Sequence, residues 1–172
     1  EEEKQFKPEY NHDCVFLGMG FNRLVDPQYD LERQLYFSNQ EFNFKVYGNG
    51  WQGFKYWRNL LPPDDIGALY SSAKCAIGIV AKKQREHGMI NNRYTEIASC
   101  GCPLISYNYE TIDWFGAEKF IYFIKSKQEL KDIVLDINNN KEKYKNNSLE
   151  FMDFMKIQTK EFYYNLENLI QV

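Results

Sequence analysis

Five short apolar runs, Asp13–Gly18, Phe42–Tyr47, Cys75–Val80, Leu104–Tyr107 and Ile121–Ile124, are separated by longer stretches with helical spacing. Runs this short suit strands rather than helices. Antiparallel neighbours can be joined by a two-residue turn, whereas parallel neighbours need a long crossover, usually a helix. None of the gaps here is as short as a hairpin turn. The order therefore predicts an α/β fold, a parallel sheet with helices on both faces. Helical spacing is read over Tyr29–Ser38 (Leu31, Leu35, Tyr36), from Pro63 and Asp64 to Ser72, and from Ser126 to Ile137. Proline at Pro63 suits a first helical turn, and Ser126 with Glu129 three residues on has the form of a capping box. Asn138-Asn139-Asn140 breaks the pattern. From Lys141 the chain is helical again, with Phe151, Phe154, Met155, Phe162, Leu166 and Leu169 in one apolar stripe. Trp51–Pro63 reads as a connector with room for a short strand or turn, Ala81–Asn92 as a long polar loop, and Thr111–Gly116 as a short helix or turn.

The 172 residues suffice for one domain with its own core. Residues 1–12 read as a linker or tail, and 13–172 as a single domain ending in a long helix. The start, Glu1-Glu2-Glu3-Lys4, lacks an initiator Met and suggests a piece of a longer protein. A net charge of -3 with no basic stripe argues against a general nucleic-acid binder. No apolar run approaches a membrane span, and no signal peptide is visible. Cys14 and Cys75 fall in apolar runs, where cysteine acts as a small hydrophobe. Cys100 and Cys102 are too close for a usual zinc knuckle and have no second pair. Four reduced thiols in a cytoplasmic protein are the expectation.

The segment from Arg93 to Ser106 carries the most chemistry. A polar loop, Asn91-Asn92-Arg93, leads into a short helix with one acid, Glu96; Gly101 stops the helix and Pro103 starts a strand. Helix N–H groups and the dipole favour phosphate at such a terminus, and a carboxylate one turn in can accept from both hydroxyls of a ribose. The same residues also allow a plain αβ unit in which Arg93 pairs with Glu96 on the helix surface.

The pattern R-[FY]-x-E-[IL]-x-[AS]-x-G before an apolar strand resembles the donor-binding half of GT-B glycosyltransferases, particularly the CgeB-like spore-maturation group. Phe16-Leu17-Gly18, Lys45–Trp51, Ile66–Ile79 and Phe120–Phe123 with Glu129-Leu130 resemble further stretches of that group, in the same order. The resemblance spans about residues 14–145. It implies a Rossmann-like domain, one half of a GT-B fold, that binds a nucleotide sugar, most plausibly a UDP-sugar. It also implies a missing N-terminal acceptor-binding domain holding the acceptor and any general base, and a C-terminal helix that reaches across to that domain or pairs with another copy. Glu96 would hold the ribose. Arg93, Asn92, the helix N-terminus and the turn of Gly18, Gly20 and Arg23 would hold the diphosphate. No Asp-x-Asp pair is present, so metal-independent transfer without a cofactor is expected. Many GT-B enzymes carry a second acid eight residues before the first; here that position is Gly88, with Glu86 and His87 close by. Lys82, Lys83 and Arg85 share that loop, from which one side chain could reach the diphosphate. Trp51 could stack on the base or close the core, and Tyr94 could border the base or pack beneath the helix. A non-catalytic nucleotide-binding or scaffold module of the same fold is the alternative.

Overall fold

The computed structural model describes residues 6–20, 23, 26–38, 40–89, 91–110 and 116–170, with side chains, Gln28 apart, to residue 157. Six strands form one parallel sheet in the order β3-β2-β1-β4-β5-β6. They are β1 (Cys14–Leu17), β2 (Phe44–Tyr47), β3 (Trp57–Asn59), β4 (Ala76–Ile77), β5 (Leu104–Tyr107) and β6 (Ile121–Ile124). The edge strand β3 lies in the expected connector. The run read over Cys75–Val80 contributes only Ala76–Ile77 as strand, and Gly78 to Val80 continue as buried chain, with Gly78 N donating to Ile105 O at 2.9 Å.

Side chains alternate along each strand and so feed two cores. Val15, Leu17, Ala76, Leu104 and Ile121 face α2 (Ile66–Ser72), α4 (Asn92–Ser99) and α6 (Lys141–Ile170). Cys14, Phe16, Phe44, Val46, Ile77, Ile105 and Ile124 face the other way, toward α5 (Lys127–Asn139) and the helix after β1. That helix starts as α1 (Asp30–Glu32) and widens into a π turn over Arg33–Phe37. The expected α/β fold, a parallel sheet covered on both faces, is the one observed.

Local signals act as physical chemistry requires. Gly101 adopts φ +63° after α4. Its N–H donates to Ala98 O at 2.9 Å and that of Cys102 to Ile97 O at 3.3 Å, the double closure of a Schellman end. Ser126 Oγ accepts from Glu129 N at 3.2 Å, while the Glu129 carboxylate reaches back to Lys125 N, one residue ahead of the cap.

Two readings need correcting. The polar stretch after β4 is not all loop, because Lys82–Glu86 forms a short helix, α3. Five good helix formers stand in a row there, Gln84 Oε1 accepts from the Ala81 N–H at 3.2 Å, and Gly88 at φ +65° ends the turn. Residues 6–12 are also laid against the domain. Lys7 N donates to Ser72 Oγ, and Lys7 and Tyr10 both bond Asp65 at the start of α2. The expected turn over Thr111–Gly116 falls, except for Gly116, outside the described residues. So do the side chains of Phe162, Leu166 and Leu169, although the α6 backbone continues to Ile170. Phe151 and Phe154, in the described part of that stripe, pack on Phe120 with ring centroids 5.4 Å apart. All four cysteines are free thiols. No helix of the described residues is long and apolar enough to cross a membrane.

His12, just before β1, is 8% exposed; one ring nitrogen bonds the Tyr47 hydroxyl at 2.9 Å. Burial, with the charges of Lys45 and Arg58, holds its pKa down at about 4. The fold favours neutral His12, so the unfolded chain takes up the proton first as pH falls. This contribution is intact above about pH 6.5, declines below it and is lost under about pH 4; it amounts to roughly 1–3 kcal/mol. Urea unfolding of His12→Gln should therefore show a flatter loss of stability between those pH values than the parent. Parallel slopes would contradict the assignment.

Candidate functional site

In a parallel sheet of this order, consecutive crossovers leave in opposite directions from β1 and β4, opening a crevice at the carboxyl ends of those strands. Ligands of open α/β sheets collect there. The turns after β1 and β4 flank it, and the N-terminus of α4 opens beside it.

The start of α4 is fixed from below. Asn91 Oδ1 accepts from Arg93 N at 3.0 Å, capping the helix, while its Nδ2 donates to Ile79 O at 2.7 Å and ties that cap to the end of β4. Tyr94 lies across Gly78, where a Cβ would come within 2.9 Å of both the Tyr94 ring and Leu104. The Tyr94 hydroxyl bonds Ser106 Oγ at 2.5 Å, and Ser106 in turn bonds Gly78 O at 3.0 Å. Gly78 is the one residue type that lets a helix tyrosine pass so close to the strand end. Tyr94 is only 1% exposed, which favours the second of its two readings, packing beneath the helix.

Above this lock, Asn92, Arg93 and Glu96 share one partly exposed face. Arg93 Nη1 meets Glu96 Oε2 at 2.8 Å, and Asn92 Nδ2 meets Glu96 Oε1 at 3.1 Å. Arg93 also lies near Tyr70 of α2, where its charge partly offsets the rise that burial imposes on that phenol. The local salt bridge weighed in the sequence is thus formed, between side chains 25% and 31% exposed.

The two glycine turns meet each other. Gly18 O accepts from the Trp51 indole N–H at 2.8 Å, and Gly20 N donates to Asn49 O at 2.7 Å. A Cβ on Gly20 would collide with Gly50 O, and one on Gly48, which sits at φ +122°, with Gly18 O. Close backbone approach is therefore used between these turns. Trp51 is wholly buried among Phe16, Phe37 and Phe54, which favours closing the core over stacking on a base.

Arg85 reaches one buried acid, Glu32, whose charge also acts on Arg23 of the turn after β1. Arg85 Nη1 bonds Glu32 Oε1 at 2.8 Å and Val80 O at 3.1 Å, and its guanidinium lies 4.7 Å from the Tyr109 ring centre. Burial opposes its charge, but Glu32 and Tyr109 outweigh that and raise its pKa. Arg23 stacks on Tyr29 at 4.7 Å, and burial lowers its pKa. His87 is exposed just past α3, apart from this group. Gly88, in the left-handed region, has a backbone that disfavours any side chain, which accounts for the absence of an acid there.

Sequence reasoning passed over Gly78 and Glu32, and named Asn91 and Ser106 without their roles as helix cap and lock. An Asn before a helix and a Gly inside an apolar run were available as signals for two of them. A helical Glu carries no mark of burial. Among the described residues no group of three His, Cys, Asp or Glu side chains is placed to hold a metal ion. A concavity of about 420 Å³ lies at the opposite edge of the sheet, between Ser71, Lys74, Cys100 and Pro103 on one side and Lys141 and Lys145 on the other.

Comparison with known proteins places this geometry. No curated protein sequence matches the chain. Among solved structures, phage T4 BGT with its UDP-glucose substrate shares the fold at TM-score 0.71 and 16% identity; the match covers 99% of this chain and 53% of that one. T4 BGT with UDP and Mn2+ matches at TM-score 0.73 and 15% identity, over 99% and 52%. The pneumococcal O-GlcNAc transferase GtfA, with UDP and GlcNAc, matches at TM-score 0.54 and 14% identity, over 97% and 38%. The chain thus spans about half the length of the T4 structures, and the fold is that of one Rossmann-like half of a GT-B glycosyltransferase. A sequence-family model described as glycosyl transferase-like matches residues 29–148, and the chain belongs to that family.

Proposed function

We propose that this chain is the donor-binding half of a glycosyltransferase and takes a nucleotide sugar, most plausibly a UDP-sugar, at the carboxyl edge of its sheet. The observation that carries the reading is the partly exposed Arg93–Glu96 face at the fixed start of α4, in a fold shared with enzymes solved with UDP-glucose or UDP. Glu96 accepts from the ribose hydroxyls. Arg93, Asn92 and the α4 terminus, with Arg23 and the Gly18–Gly20 turn, neutralise the diphosphate as it leaves. The acceptor and a general base belong to a second, acceptor-binding domain, and the protein works in the cytoplasm. Within the family, the order of the short motifs favours the CgeB-like group.

The existing Arg93–Glu96 pair does not oppose this reading. A partly exposed helix pair contributes about 0.3–0.5 kcal/mol, whereas hydrogen bonds to a charged group contribute about 1.5–3 kcal/mol. A bound nucleotide can thus recruit both side chains at small cost. A non-catalytic nucleotide-binding module is the second reading, favoured by Gly88 in place of the second acid.

Calorimetry should find UDP binding with a dissociation constant in the ~10 μM to mM range, weak because one wall of the cleft lies on the other domain. Glu96→Ala should weaken that binding by about 1–3 kcal/mol with little change in melting temperature. Unchanged UDP affinity with a slightly lower melting temperature would leave Glu96 only a helix-end role.

We also propose metal-independent transfer, because arginines and a helix terminus supply the positive charge that a bridging cation would otherwise provide. UDP binding, and turnover of the two-domain enzyme, should survive EDTA. Turnover abolished by EDTA and restored by Mn2+ would show that a cation neutralises the leaving group.

A further inference from the structure

The buried charges at the crevice are unbalanced. Glu32 is wholly buried and bonded to Arg85, and its charge also acts on Arg23. Arg23 and Arg85 are close enough that the charge of Arg85 weakens protonation of Arg23, and the charges of both arginines act on Tyr109. Three buried polar atoms of this group lack a hydrogen-bond partner: Arg23 Nη1, Glu32 Oε2 and the Tyr109 hydroxyl. Native structures leave few such atoms, and several in one place point to a missing ligand. Two of the three are donors, and one carboxylate against two guanidiniums leaves one positive charge over. An anion meets the two donors and the surplus charge, whereas Glu32 Oε2 is an acceptor that needs a donor and is not satisfied by it.

The manner in which Arg85 is held decides what Glu32 does. Among the described residues the Arg85 side chain donates through Nη1, to Glu32 and to Val80 O. The flat face rests on Tyr109. The guanidinium is therefore fixed along one edge and one face, leaving Nε and Nη2 for another acceptor, and the side chain keeps 19% exposure against 1% for Glu32. A diphosphate that pulled Arg85 away would leave a buried carboxylate unpaired, which is strongly unfavourable. The pair therefore persists when the ligand arrives. Glu32 also stands where α1 widens into the π turn that buries Leu35, Tyr36 and Phe37 in succession. Such local widenings recur at functional sites.

We propose that Glu32 is a positioning residue: it holds Arg85 at the crevice so that the free edge of that guanidinium and Arg23, from the turn after β1, form a two-arginine seat for a diphosphate. This rests on the donor-site reading for the identity of the ligand as the diphosphate of a nucleotide sugar. The seat itself is built from this chain's own geometry and would also take inorganic pyrophosphate.

The test compares UDP, uridine and inorganic pyrophosphate by calorimetry on the parent chain, Glu32→Gln, Arg85→Ala and the double variant. Glu32→Gln keeps the shape and one acceptor oxygen but removes the charge that orients Arg85. It should reduce the preference for UDP over uridine about tenfold, as expected for a displaced charge-assisted contact, and weaken pyrophosphate similarly. Uridine affinity should not change. Arg85→Ala should produce the same loss, and the double variant no further loss, since both changes remove one coupled contact. A purely structural Glu32 would lower the melting temperature and leave the UDP-to-uridine ratio intact, which overturns the proposal while the donor reading stands. Binding of pyrophosphate but of no nucleotide would support the seat and defeat the donor reading. Binding of neither UDP nor pyrophosphate by the parent would overturn the seat. Should Glu32→Gln not fold, Arg85→Lys, which keeps the charge without the two-edged fork, must still lose the preference for UDP; if it does not, the proposal fails.

Discussion

The contact between the turns after β1 and β2 shapes everything above the sheet. Gly18, Gly20, Gly48 and Gly50 let two backbones meet where any Cβ on Gly20 or Gly48 would collide, and the Trp51 indole closes the contact by donating to Gly18 O. The indole is anchored in turn by Phe16, Phe37 and Phe54 on one face of the sheet. The Gly18–Gly20 turn is therefore set by core packing. Preorganised charge is more effective than charge that must be ordered on binding. A second lock, Tyr94 over Gly78 with its hydroxyl on Ser106, does the same for α4. Polar groups at the crevice thus rest on aromatic side chains that are themselves buried.

Two ion pairs at this edge have different energetic characters. Arg93–Glu96 is partly exposed and local along one helix, so it contributes little and breaks readily. Glu32–Arg85 joins residues 53 apart, and its acid is wholly buried, so separating it would strand a charge. The first pair suits residues that change partners when a ligand binds. The second suits a fixed support. The same chemistry, arginine on glutamate, thus serves opposite purposes according to burial.

The parallel architecture was legible because strands buried on both faces appear as short continuous apolar runs, and those runs lie too far apart for hairpins. The α4 unit was legible for a similar reason: Asn91, Glu96, Gly101 and Pro103 each act locally. α3 was missed because a five-residue polar helix has no apolar stripe to reveal it. Trp51 and Tyr94 could not be assigned from sequence, since an aromatic residue beside a glycine turn can face either the core or a base. In the fold both rings are enclosed. Glu32 was invisible for a deeper reason. Its partner lies beyond three strands, and only the crossover at β1 and β4 brings them together.

The central claim is that the nucleotide sits at the carboxyl edge of the sheet, between the turn after β1 and the start of α4. Amide chemical-shift mapping during a UDP titration tests it most directly. The account predicts that the largest shifts fall on Gly18, Gly20, Arg23, Arg85 and Asn92–Glu96, with Ser71–Lys74 and Lys141–Lys145 at the opposite edge unmoved. Shifts concentrated in the concavity at that opposite edge, with Arg93 and Glu96 silent, would contradict it.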